Sequence, residues 1–131
     1  MSVVVGYVAT AEGDAAFETA IAEARRRAVP LVVVVAGRAS GFGPRPEADP
    51  ETIAAVRERL ALQADLMSEL VTASRGRDVA DDIVSAAVDR AAELIVIGLR
   101  RRSPVGKLLL GSNAQRILLD SPCPVLAVKP G

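Results

Sequence analysis

Leu31-Val32-Val33-Val34-Val35 is an unbroken apolar run in which valine follows valine. Such a run fits a central strand of a parallel sheet, which is buried on both faces and needs no polar side. On its N-terminal side, Ala15 to Ala28 places Phe17, Ala20, Ile21, Ala24 and Ala28 on one face at helical spacing. Arg25, Arg26 and Arg27 sit at the end of that helix, where cations suit the dipole. Val3 to Val8 precedes it as a first strand, and Pro30 closes the connection. On the C-terminal side, Ala36 to Pro50 is rich in Gly and Pro and reads as a loop. A second helix starts near Glu51, with Ile53, Val56 and Leu60 facing the core, and a third strand is expected near Met67 to Ala73. Arg75 to Asp78 is a turn, and Asp78 is a good N-cap for a helix from Val79 to about Ala92, with Val79, Ile83, Ala86 and Ala87 inward. Leu94 to Ile97, Ser112 to Leu119 and Val125 to Val128 read as strand, helix and strand. Strands alternating with helices predict an α/β domain, a parallel sheet covered on both faces. In such sheets ligands bind beyond the carboxyl ends of the strands, where the winding reverses.

The chain has 131 residues, enough for one domain with one sizeable core. No apolar stretch is long enough to predict a membrane span, and the opening MSVVVGYVAT lacks the basic and apolar regions of a signal peptide, so a cytoplasmic location is expected. A net charge of +0 and only three aromatics (Tyr7, Phe17, Phe42) argue against a nucleic-acid module. The absence of histidine removes Ser-His-Asp and Cys-His catalysis and the commonest metal ligand. Cys123 is the one cysteine, so an internal disulfide is excluded; its setting, SPCPVLAV, reads as the entry to a buried strand and an inert thiol. Asp81 and Asp82 read either as an acid–base pair or as a solvated first-turn face.

GLRRRSPVGKLLLGSNAQRIL, Gly98 to Leu118, follows the buried run that ends the fourth strand. Arg100, Arg101, Arg102 and Lys107 lie between its first and last glycines with no acid among them. Gly111 and Ser112 fall where a helix begins, and a helix N-terminus offers unpaired N–H groups and partial positive charge to phosphate. A second reading is purely structural: Ser112 to Gln115 has the S-x-x-Q form of a capping box. Gly106-Lys107 does not complete a Walker loop, because Arg101 stands at the first glycine position and Leu108 follows the lysine.

From Gly98 to Val128 the sequence resembles the C-terminal segment of the universal stress protein family. Its nucleotide-binding members carry G-x2-G-x9-G-[ST], a helix, and a strand introduced by a Pro-Cys-Pro-Val-like run. Gly98, Gly111, Ser112 and PCPVLAV fall at the matching spacing. The resemblance extends over the whole chain as a single domain, through VVVGYV, the Ala-rich first helix, the valine run and AAELIVIG. It implies a three-layer αβα sandwich of the flavodoxin-like, adenine-nucleotide α-hydrolase-like kind. The implied strand order is 3-2-1-4-5, with a cleft between the ends of the first and fourth strands and a homodimer joined through the last strand, Val125 to Val128.

The same resemblance implies an ATP or AMP site, with Mg²⁺ entering with the nucleotide. Gly98, Gly111 and Ser112 would hold phosphates, Ala9 and Thr10 would line the first-strand loop, and backbone near Val35 or Ala36 would meet the adenine. Ile97, Arg101 and Asn113 complete the implied set. Two positions depart from the pattern: Arg101 replaces the second glycine, and Val8 replaces the acid at the end of the first strand. Either the Arg101 guanidinium fills the phosphate site, or Arg100, Arg101, Arg102 and Lys107 gather phosphate by charge, since arginine matches phosphate oxygens bidentately. The expectation is a dimeric regulatory protein of the stress response. The alternatives are an interaction module that binds no nucleotide and, further off, a slow ATPase. A receiver domain would need an acidic cluster after the first strand, and a flavodoxin would need aromatic walls; YVATAEGD and the aromatic count supply neither.

Overall fold

The computed structural model describes residues 1–38, 47–74, 76–100 and 110–130. In chain order the elements are β1 (Ser2–Tyr7), α1 (Ala11–Arg27), β2 (Leu31–Val35), α2 (Pro50–Ala61), β3 (Ser68–Thr72), α3 (Val79–Asp89), β4 (Ala92–Gly98), α4 (Ser112–Asp120) and β5 (Val125–Val128). The strands form one sheet in the order β3-β2-β1-β4-β5, and every neighbouring pair is parallel. The expected fold is therefore the observed one.

The valine runs are explained by what lies on each face. Successive strand residues point to opposite sides. Val3, Val5, Leu31, Val33, Val35, Leu94 and Val96 pack with Ala16, Phe17, Ala20 and Ile21 of α1 and with Val56 and Leu60 of α2. Val4, Val32, Val34, Ile95 and Ile97 pack with Val79, Ile83, Ala86 and Ala87 of α3 and with Ile117 of α4. Each fully buried Val, Leu, Ile or Phe stabilises the fold by about 1.5–3 kcal/mol relative to exposure, before ordering costs are counted. At the N-terminal ends of the strands, Arg25 pairs with Asp65 at 3.0 Å, Arg27 with Glu93 at 2.9 Å and Arg90 with Glu69 at 2.6 Å. The Arg90 guanidinium holds the Glu69 carboxyl below its usual range.

Several boundaries differ from the sequence reading. Val8 is not part of β1: the strand ends at Tyr7, and the Val8 carbonyl accepts a hydrogen bond from the Thr10 N–H at 2.8 Å. α1 begins at Ala11, not Ala15, because Thr10 caps it, its Oγ1 accepting from the Gly13 N–H at 3.1 Å. α3 stops at Asp89 rather than near Ala92, and Ala91 takes a left-handed φ of 48° that frees β4 to start at Ala92. β3 is one residue shorter at each end than expected.

Asp78 stands at the N-cap of α3 but makes no side-chain cap; its carboxylate instead accepts from Arg116 of α4 at 2.6 Å, and Asp81 accepts from the same guanidinium. Asp82 is not a solvated first-turn residue. It is buried, accepts from the Ser74 N–H at 2.7 Å and so ties the β3–α3 connection down. Cys123 is only half-buried, packed at the edge of the second core, with its N–H donating to Ser121 Oγ at 3.2 Å. Among the described residues no helix is long and apolar enough to cross a membrane.

Candidate functional site

The chain winds from β1 through β2 to β3 on one side, then returns to β4 and β5 on the other. The winding therefore reverses between β1 and β4, and a cleft opens beyond their carboxyl ends. Two helix N-termini reach it. Thr10, Glu12 and Gly13 bring α1 to one side, and Gly111, Ser112 and Asn113 bring α4 to the other. Val79 and Ile83 of α3 form an apolar part of the lining.

Gly98 is required here by packing. A Cβ on it would lie 2.4 Å from the carbonyl oxygen of Glu12 and 2.7 Å from its carbonyl carbon, so β4 and α1 meet backbone to backbone. Gly13 has the same role one strand over: its Cβ would lie 1.9 Å from the carbonyl oxygen of Val8. Both contacts draw the first turn of α1 tightly over the strand ends.

The helix termini differ chemically. α1 has its Gly13 N–H capped by Thr10 Oγ1 and carries Glu12 and Asp14 in its first turn, where acids complement the dipole. α4 has Gly111 as N-cap, no side-chain cap among the described residues and no acid in its first turn. The capping box expected from Ser112 and Gln115 does not form. The helix starts one residue earlier than that pattern requires, Ser112 becomes its first residue, and Gln115 Nε2 donates to the Leu110 carbonyl at 3.1 Å.

Glu12 and Arg100 are the charged residues of the described lining, and they pair at 3.6 Å, with the Glu12 side chain 19% exposed and the Arg100 side chain 47%. Beside them the Tyr7 hydroxyl donates to Asp14 Oδ1 at 2.9 Å, and Arg59 of α2 donates to the same oxygen at 3.2 Å while lying 4.2 Å over the Phe17 ring. Tyr7 meets Phe17 edge-on. Burial first, and the Asp14 carboxylate next, push the Tyr7 hydroxyl above the ordinary phenol range.

Of the residues expected from sequence, Thr10, Ile97, Gly98, Gly111, Ser112 and Asn113 border the cleft together. Ala9, Val35 and Ala36 are not part of that described lining, and the expectation for the last two concerned their backbone. Val35 and Ala36 are buried in the two opposite cores, and Ala9 packs against the first of them. Arg101 lies outside the described residues, as do Arg102, Lys107 and Phe42. Val8 borders the cleft with an apolar, half-buried side chain where the family pattern has an acid. Glu12 is the residue that sequence reasoning missed. Starting α1 at Thr10-Ala11 would have put it in a first turn facing the strand ends. Among the described residues no group of three or more His, Cys, Asp or Glu could hold a metal ion.

The universal stress protein family model matches residues 1–129. A universal stress protein from Mycolicibacterium smegmatis is 42% identical over 128 residues, covering 98% of this chain and 97% of the relative. Among solved structures, a universal stress protein from Archaeoglobus fulgidus superposes with a TM-score of 0.69 at 33% identity, covering 98% of both chains. The structure of the universal stress protein from Archaeoglobus fulgidus in complex with dAMP superposes with a TM-score of 0.65 at 29% identity, again over 98% of both. With a parallel sheet in the order 3-2-1-4-5, a cleft at its reversal and a match along nearly its whole length, the chain belongs to the universal stress protein family.

Proposed function

We propose that this chain binds an adenine nucleotide in the cleft between β1 and β4, with a phosphate at the N-terminus of α4. The observation that carries the reading is the unequal capping of the two helices: α4 turns toward the cleft a terminus with no side-chain cap and no acid in its own first turn, among the described residues. Backbone N–H groups of Ser112 and Asn113 and the Ser112 hydroxyl would hold the phosphate, with Arg100 adding charge. The dAMP complex of a relative 29% identical supports the same ligand class. Glu12, the carboxylate of the described lining, is already engaged with Arg100, which supports binding over hydrolysis. A magnesium ion arriving with a triphosphate would rest chiefly on the phosphates.

The binding protein would act in the cytoplasm as a dimer that reports nucleotide state to stress-response partners. β5 is an edge strand with Leu126 37% exposed, and α4 leaves Leu118 and Leu119 exposed at 44% and 84%. Pairing of β5 with a second copy would cover such an edge. Calorimetric titration of nucleotide-stripped protein with AMP tests the binding, with micromolar affinity expected and silence at millimolar AMP contradicting it. Silence would favour the interaction-module reading, for which apolar Val8 is the supporting feature. Sedimentation tests the dimer, and a monomer at micromolar concentration would refute it.

A further inference from the structure

We propose that Glu12 selects among nucleotides by phosphate count, so that the cleft takes a nucleoside monophosphate in preference to a triphosphate. The proposal rests on the nucleotide reading above and names the ligand class of that site.

Among the described residues lining the cleft, only Glu12 and Arg100 carry charge. Their positions are unequal. The Glu12 side chain is the more sheltered of the two, and its backbone is held against the end of β4 by the close approach of Gly98. Arg100 is the more exposed partner, 3.6 Å away. The acid is thus the more sheltered charge of the cleft, on an anchored backbone, and the cation is the partner more open to a ligand.

A single phosphate at the α4 terminus gains the N–H groups of that helix and the Arg100 guanidinium, which outweigh one carboxylate. Each further phosphate adds negative charge in the same cleft, with Glu12 repelling it and competing for Arg100. Two unit charges about 8 Å apart change an affinity by roughly twofold in bulk-water dielectric and about thirtyfold at an effective dielectric near 20. The discrimination against ATP should lie between these limits, near tenfold, and weaken as salt screens it.

Magnesium-free calorimetric titrations of the full chain with AMP and with ATP, at low and at high salt, read this as an affinity ratio. Wild type should favour AMP. Glu12→Gln should move the ratio toward ATP by about tenfold at low salt and by less at high salt. Glu12→Asp, which keeps the charge, should retain the wild-type preference. Arg100→Gln should move the ratio the other way, because it leaves Glu12 without its counterion. AMP binding with the same ratio in wild type and Glu12→Gln overturns the role of Glu12 while leaving the nucleotide site standing. An equal gain for both ligands overturns it as well, since that reports cleft shape and not charge. If neither nucleotide binds wild type or Glu12→Gln, the nucleotide reading falls and this one with it.

Discussion

The first turns of α1 and α4 stand on opposite sides of one cleft, and the chain treats them differently. α1 is closed by its own residues: Thr10 caps it, Glu12 and Asp14 answer its dipole, and Gly13 lets it press on the Val8 carbonyl. α4 begins at Gly111 with neither a side-chain cap nor an acid among the described residues. Two helix N-termini of like polarity therefore have unlike tasks. One carries a side-chain cap and two acids that answer its dipole, and the other has neither among the described residues, which leaves more of its partial charge to an anion. Helix polarity alone would not have distinguished them, whereas the capping chemistry does.

The largest expected effect falls on the closed terminus. Gly13→Ala would drive a Cβ into backbone, and neither partner is a flexible side-chain end. It should cost about 3 kcal/mol of folding stability, read by denaturant unfolding. A loss below about 0.5 kcal/mol would mean that α1 is not held where its contacts put it. The next variant makes α4 resemble α1. Ser112→Asp places an acid in the first turn, which should raise helix stability by up to about 0.5 kcal/mol while lowering AMP affinity at least tenfold, about 1.4 kcal/mol. Unchanged affinity in this variant would remove the contrast between the two termini.

Thr10→Ala removes the cap of α1 at the border of the cleft. Loss of the cap should cost about 1 kcal/mol and leave AMP affinity within about twofold. A large affinity loss with little change in stability would show that Thr10 serves the ligand and not the helix. The smallest effect concerns Tyr7. Its folded pKa lies above the unfolded value near 10, so its stabilising contribution is complete below that pH and is lost as pH rises through the folded pKa. Wild type should lose stability above pH 10, by up to about 1 kcal/mol, that Tyr7→Phe does not lose. Parallel alkaline unfolding curves for the two proteins would argue against a protonated Tyr7–Asp14 bond.

The sheet was legible where burial on both faces left nothing but apolar residues, in VVV at Val3–Val5, the Leu31–Val35 run and LIVI at Leu94–Ile97. β3 was harder to place because it is an edge strand whose Ser68, Glu69 and Thr72 are exposed, so it shows no continuous apolar signal. The start of α1 was obscured because its first turn, Ala-Glu-Gly-Asp, is polar and contains glycine, although Thr10 before it is an ordinary cap. At the site, the Gly98 and Gly111-Ser112 frame was legible from spacing. The partnership of Glu12 with Arg100 was not, because it exists only once β1 and β4 are neighbours. Val35 and Ala36 were expected to offer backbone to a ligand, and the structure adds that their side chains, at the end of β2, enter opposite cores.

The measurement that bears most directly on the account is an amide NMR titration of the isotope-labelled chain with AMP. The expected result is saturable shifts at the N–H groups of Ser112 and Asn113 and at Gly98, with the capped Gly13 amide of α1 moving little. Shifts confined to the first turn of α1, or none at α4 with AMP at millimolar concentration, would contradict the claim that the open helix is the phosphate site.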